Sequence, residues 1–182
     1  MFTEAEVKIA NATYRSKGSS VFDKDGNVRS VVAKFVANNI DKDKKILDFG
    51  CGPEFIQGKY LNDLGFDVAG WDFGANKPQN SVDKLEKIYD VVYASNVLNV
   101  ISSLSMLMET LDQIYNSLKE GGKFIANYPV LPRKMVLNAS DLAEIISAKF
   151  GGAMSKVGGT SSAPVWVFAK PISIHKGINI GA

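Results

Sequence analysis

The stretch KKILDFGCGPEFIQGKYLNDLGFDVAGWDF, Lys44 to Phe73, decides the fold. A short apolar run at 46–49 carries Asp48 near its end and leads into Gly50-Cys51-Gly52. Residues 55–64 have helical spacing, and Gly65 ends them. A second apolar run at 67–71 ends in front of Asp72. Strand, glycine turn, helix and strand in this order build a parallel sheet, whose ligands bind beyond the carboxyl ends of the strands. Gly50 and Gly52 allow the backbone to turn sharply and to approach a ligand closely. A carboxylate at Asp72 can accept both hydroxyl hydrogens of a ribose.

Two features separate the candidate cofactors. Asp48 directly precedes the glycines and can act, through water or backbone amides, on an ammonium group. S-adenosylmethionine carries such a group, and a diphosphate does not. A dinucleotide needs a free helix N-terminus for its diphosphate. Here Pro53 and Glu54 occupy that place, and Glu54 stands where such loops often carry a third glycine. The pattern therefore points to S-adenosylmethionine ahead of NAD. Cys51 contributes its backbone to the loop, because no histidine is placed to activate its thiol.

Outward from this stretch, strands and helices alternate. Thr3 starts a helix running to about Arg15, and a second covers 28–39 through Val28, Val31, Val32, Phe35 and Val36. Residues 91–94 read as a strand. Leu104, Leu107, Met108, Leu111, Ile114, Tyr115 and Leu118 share one helix face, which Gly121 and Gly122 stop. A strand follows at 123–127, then a helix capped by Ser140 and ending near Phe150. Strands at 154–157 and 165–170 close the sheet, joined by a glycine- and serine-rich turn, and residues 171–182 form a loosely held tail.

Composition bounds the chemistry. The 182 residues fit one domain at 1–182, and 46% hydrophobic residues fill a core. A net charge of +2 does not announce a nucleic-acid binder. One cysteine and one histidine leave no disulfide framework, zinc site or other metal site. No apolar run approaches a membrane span, so the reading is a soluble, cytoplasmic domain with no membrane partner.

At this point ILDFGCGPE, GWDF and YDVVYASNVLNVI resemble the first, second and fourth motifs of class I S-adenosylmethionine-dependent methyltransferases, over roughly residues 28–170. More narrowly, GWDF with NVLNVI is similar to small phage methyltransferase-like proteins and to methyltransferases associated with DNA phosphorothioation. The resemblance implies an α/β, Rossmann-like fold with a mainly parallel sheet and an antiparallel last strand. Only residues 73–88 separate Asp72 from the strand near Tyr89, too few for a full helix–strand–helix insertion. The third strand is therefore expected to be missing or shortened, leaving an open edge that invites a homo-oligomer.

The resemblance also assigns residues. Asp48, Gly50, Cys51, Gly52, Asp72 and Phe73 would hold the cofactor, with Phe73 flanking the adenine. Ser95, Asn96 and Val97 would line its sulfonium end. Ser81, Val82 and Asp83 are weaker candidates beside the adenine. Residues 1–27 would lid the site, bringing Lys17 or Arg15 to the cofactor carboxylate, and Tyr14, Arg133 and Lys134 would complete a basic rim. Asn96, Asn99 and Tyr128, near Asn127, would face the transferred methyl group and act as catalytic residues. Such chemistry needs alignment and exclusion of water more than an acid/base pair. The implied activity is methyl transfer to a nitrogen or oxygen of a nucleic acid, nucleotide or small metabolite. The alternatives are a binding or protein-interaction module of the same fold, and an NAD-dependent enzyme, which Glu54 disfavours.

Overall fold

Ile46, Leu47, Asp48 and Phe49 are all buried, because β1 (Lys45–Phe49) runs through a parallel sheet covered on both faces. The computed structural model describes residues 2–12, 22–23, 25–26, 28–73, 81–128, 137–152, 154–161 and 163–173. In chain order the elements are α1 (Glu4–Ala12), α2 (Val31–Asn39), β1, α3 (Ile56–Asp63), β2 (Asp67–Trp71), β3 (Tyr89–Ala94), α4 (Leu104–Ser117), β4 (Leu118–Asn127), α5 (Ala139–Phe150), β5 (Ser155–Thr160) and β6 (Ala163–Ala169). The sheet order is β2-β1-β3-β4-β6-β5. The first four of these strands are parallel; β6 runs antiparallel to β4, and β5 pairs antiparallel to β6. This is the expected mixed sheet with an antiparallel last strand. One face packs Leu47, Val92 and Phe124 under α1, α4 and α5; the other packs Ile46, Val91 and Ile125 under α2 and α3.

Thr3 and Glu6 form a reciprocal capping box, Glu6 N–H donating to Thr3 Oγ1 at 3.2 Å and Thr3 N–H to Glu6 Oε2 at 2.9 Å. The expected extension of α1 to Arg15 lies outside the described residues. The second helix starts at Val31 rather than Val28: the Ser30 hydroxyl caps Ala33 N–H, and Val28 pairs instead with Phe22 in an isolated bridge. The cap of α5 is Asn138, not Ser140, its side chain accepting from Asp141 N–H at 2.9 Å. The fourth helix stops at Ser117, ahead of the glycines. Lys170 Nζ donates to the Tyr115 and Leu118 carbonyls at 2.8 and 2.7 Å, and Leu118 is already extended and paired with Tyr89. Gly121 and Gly122 lie instead within β4, near the register shift of the β3–β4 ladder.

Between β2 and β3 the described residues hold a single 3₁₀ turn at Val82–Lys84 and no strand. Strand β2 is therefore an edge, but not a bare one. The Asn62 carboxamide pairs with Val68 as a neighbouring strand would, accepting from its N–H at 2.9 Å and donating to its carbonyl at 3.2 Å. Lys84 Nζ donates to the Gly70 carbonyl at 2.7 Å. These side chains satisfy outward backbone groups that another chain would otherwise use. Asn62→Ala is expected to cost about 1 kcal/mol, because two neutral hydrogen bonds at a part-buried edge are lost and water replaces them in part. Urea titration reads this, and an unchanged midpoint contradicts the pairing. Among the described residues no helix is long and apolar enough to cross a membrane.

Candidate functional site

The carboxyl ends of β1, β2 and β3 converge on the glycine loop. Gly50 and Gly52 have φ of +76° and +73°, so the loop uses the left-handed region twice. The N–H groups of Gly50 and Cys51 both donate to the Trp71 carbonyl, at 2.7 and 3.0 Å. Gly52 N–H donates to Asp72 Oδ2 at 2.6 Å. Asp72, 4% exposed, thus fastens the loop of β1 to the end of β2. Gly50 has a second constraint: a Cβ there would lie 2.5 Å from Val97 Cγ2. Phe55, the N-cap of α3, is left-handed at φ 52°, an uncommon state for a bulky residue. Its ring fills a slot that exists because residues 58 and 70 are glycines; Cβ atoms there would lie 1.8 and 2.4 Å from the ring.

Asp48 is the buried acid beneath this loop, 2% exposed, with Oδ2 making no hydrogen bond of ordinary geometry among the described residues. Register sets Tyr93 of β3 beside it, and that buried hydroxyl likewise lacks an ordinary partner among the described residues. Burial, and then the charge of Asp72, push the Asp48 carboxyl up to about 7 from an ordinary 3.8; the Tyr93 hydroxyl and the Gly58 backbone pull the other way. Burial and the two acids also push the Cys51 thiol far up, so it stays protonated, as an inert loop residue would.

The folded chain thus keeps a proton on Asp48 that the unfolded chain releases. Stability from this group is greatest below about pH 4, falls as pH rises to about 7, and is lost no further above it. Asp48→Asn is expected to raise the melting temperature at pH 8 by a few degrees, on the order of 2 kcal/mol, because the buried amide offsets part of the gain. At pH 5 the shift is expected to be small. Thermal scans at both pH values check this, and equal shifts would contradict titration of Asp48.

The loop after β3 supplies the next wall. Asn96 is left-handed at φ 57° and held by Asn127 of β4: Asn96 N–H donates to Asn127 Oδ1 at 2.7 Å, and Asn127 Nδ2 donates to Asn96 Oδ1 at 2.8 Å. Ser95 and Ser30 share a hydrogen bond at 2.8 Å, tying this loop to the start of α2. Val97 is buried against Gly50. Asn99 is 9% exposed, and its Oδ1 is a buried acceptor without a partner among the described residues. Tyr128 is fully buried; its ring stacks on Trp166 and its hydroxyl donates to the Leu137 carbonyl at 3.0 Å. Its ring and its hydroxyl are thus both engaged within the protein.

Phe73 lies in an aromatic cluster with Phe49 and Trp71, 5% exposed. Ser81, Val82 and Asp83 are exposed, and Glu54 is exposed in an open groove with Phe22, Lys59, Tyr60 and Asp63. Lys17, Tyr14, Arg15, Arg133 and Lys134 lie outside the described residues. Sequence reasoning passed over Tyr93, Phe55 and Ser30. Tyr93 was within reach, since alternation along 89–94 puts it on the face that Asp48 shares.

A family model described as a methyltransferase domain matches residues 23–147. A search of curated protein sequences gives no significant match. Among solved structures, the chain is similar to a TehB-like S-adenosylmethionine-dependent methyltransferase from Corynebacterium glutamicum, with 21% identity and a TM-score of 0.62 over 80% of this chain and 90% of that one. It is similar to the Burkholderia thailandensis 1,6-didemethyltoxoflavin N1-methyltransferase, crystallised with its substrate and S-adenosylhomocysteine, at 15% identity and TM-score 0.61 over 78% and 77%. It is also similar to the T. thermophilus 16S rRNA N2 G1207 methyltransferase, in complex with S-adenosylmethionine and guanosine, at 11% identity and TM-score 0.56 over 80% and 40%. At these identities the likeness is one of fold.

Proposed function

Since the chain belongs to the methyltransferase domain family, we propose that it transfers a methyl group from S-adenosylmethionine to a nitrogen or oxygen of a nucleic acid, nucleotide or small metabolite. The observation that carries the cofactor is electrostatic. Asp48 and Asp72 are both buried at the glycine loop, close enough for one charge to raise the other's pKa. Such a site favours a cation over a diphosphate. S-adenosylmethionine brings an ammonium and a sulfonium, so the residues fit it, and they disfavour NAD. When bound, it supplies an electrophilic methyl carbon on sulfur.

The chain's own residues bind, orient and exclude water. Asp72 accepts the ribose hydroxyls while fastening Gly52. Gly50, Cys51 and Gly52 present backbone to the amino-acid end, Asp48 lends it negative charge once the bound ammonium draws off its proton, and Lys17 is assigned to its carboxylate. Ser95, Asn96 and Val97 border the sulfonium side, where the Asn127 clasp keeps Asn96 in its left-handed turn. Asn99 offers a desolvated acceptor for an acceptor-bound proton. The likeness of GWDF and NVLNVI to phage and phosphorothioation-associated proteins supports a nucleic-acid acceptor, whereas the similar solved structures act on acceptors as different as a toxoflavin precursor and rRNA. Self-association is opposed at the β2 edge by Asn62 and Lys84.

Calorimetric titration with S-adenosylmethionine and NAD, then transfer of labelled methyl to DNA, RNA and metabolite extracts, tests this reading. Heat with S-adenosylmethionine alone and label in one pool are expected. Absence of heat from folded protein sinks it. A second reading, binding without transfer, is favoured by Tyr128 and Asn96 having polar atoms engaged within the protein. Tight binding with no labelled pool would select it.

A further inference from the structure

Asp48 and Tyr93 are register partners on neighbouring strands. Alternation puts both side chains on the sheet face that carries Ile46, Val91 and Ile125 under α2 and α3. Both are buried, Asp48 at 2% and Tyr93 at 0% exposure. Among the described residues, neither Asp48 Oδ2 nor the Tyr93 hydroxyl has a partner of ordinary geometry. The two still act on each other: the hydroxyl favours the charged form of Asp48, and the Asp48 charge opposes ionisation of Tyr93. Other groups face the same point. From the end of β2 the charge of Asp72 raises the Asp48 carboxyl, and from the first turn of α3 the Gly58 N–H favours the carboxylate. Cys51 in the loop stays a neutral thiol. Lys84 acts on Cys51 as a cation, but its Nζ is committed to the Gly70 carbonyl. On the α2 side, Ser30 is bonded to Ser95 and Lys34 is exposed.

A hydroxyl left unpaired in a core costs stability, so its presence calls for an explanation. A neutral carboxyl is a weak acceptor for Tyr93, whereas a carboxylate is a strong one. Burial keeps Asp48 in its neutral form up to about pH 7. A cation at the loop reverses that preference. We propose that Tyr93 is the positioning residue of the cofactor's ammonium site: as the cation docks, Asp48 gives its proton to solvent, and the Tyr93 hydroxyl, keeping its own proton, donates to the new carboxylate. The inference rests on the S-adenosylmethionine reading. It adds to that reading a residue that acts through Asp48 and a proton that leaves on binding. Binding is thereby gated by pH. The ligand-free acid titrates near 7 and the bound one lower, so affinity falls as pH drops below about 7 and is level above it.

Calorimetry with S-adenosylhomocysteine over pH 5.5–8.5, in buffers of different ionisation enthalpy, tests it. Wild type is expected to lose roughly tenfold in affinity between pH 7.5 and 5.5, and to release about one proton per ligand at pH 6. Tyr93→Phe keeps the ring and is expected to move the midpoint of the affinity curve up by about one pH unit; Asp48→Asn should flatten the curve. Methylthioadenosine, which lacks the amino-acid end, should bind wild type without releasing a proton. Thermal scans check that both variants remain folded. A wild-type affinity that ignores pH, an unmoved midpoint in Tyr93→Phe, a retained pH dependence in Asp48→Asn, or equal proton release with methylthioadenosine overturns the inference and leaves the cofactor reading intact. A wild type that binds no S-adenosylhomocysteine overturns the reading itself.

Discussion

Asp72→Ala is expected to weaken S-adenosylmethionine binding by about tenfold or more, from the loss of two charge-assisted hydrogen bonds to the ribose. The structure adds a second cost. Asp72 Oδ2 also accepts the Gly52 N–H, so its removal frees the loop as well as the ligand. Asp72→Asn separates the two effects, because a carboxamide oxygen can still accept from Gly52 but lacks the charge. The affinity of Asp72→Asn should fall between those of wild type and alanine. Both substitutions should also lower the Asp48 pKa, since the Asp72 charge helps to raise it. Calorimetry across pH 5–8 reads affinity and proton linkage together. Full affinity in Asp72→Ala would remove the ribose assignment.

Gly50→Ala is expected to destabilise the fold by about 2–4 kcal/mol, combining a left-handed alanine with an overpacked contact. The added Cβ would meet Val97 Cγ2 at 2.5 Å, and Val97 is buried with little room to retreat. For a chain of this size the melting temperature should fall by roughly 4–16 °C. The double variant Gly50→Ala with Val97→Ala removes the clash but keeps the φ strain. Its penalty should be smaller than the sum of the two single penalties, which a double-mutant cycle by urea unfolding measures. Strict additivity would mean that the loop relaxes away from Val97 on its own.

The sheet was legible because its determinants are local. The apolar runs at 46–49 and 67–71, each with an acid near its end and a turn after it, place β1 and β2, and the shortness of 73–88 agrees with the absence of a strand among its described residues. The end of α4 was not legible: Lys170, more than fifty residues away, supplies the carbonyl cap that the nearby glycines were expected to replace. The α5 cap was misplaced by two residues because serine and asparagine compete for the role and only backbone geometry decides between them. In the site, glycines and acids could be read, since turn and charge chemistry restrict residue type. Asn96 could be named but not its conformation, which depends on Asn127. The Phe2–Phe73 contact joins residues too far apart in the sequence for any short motif to span.

Phe55 has a consequence for how this chain can change. Its left-handed backbone carries strain on the order of 1–3 kcal/mol, and its ring excludes any side chain at 58 and 70. The three positions therefore behave as a single unit of variation. A relative that keeps the aromatic ring must keep both glycines. One that loses it gains freedom at two distant sites at once, in a helix and in a strand. Co-variation among 55, 58 and 70 is thus a signature by which homologous chains can be sorted into those with this loop geometry and those with another.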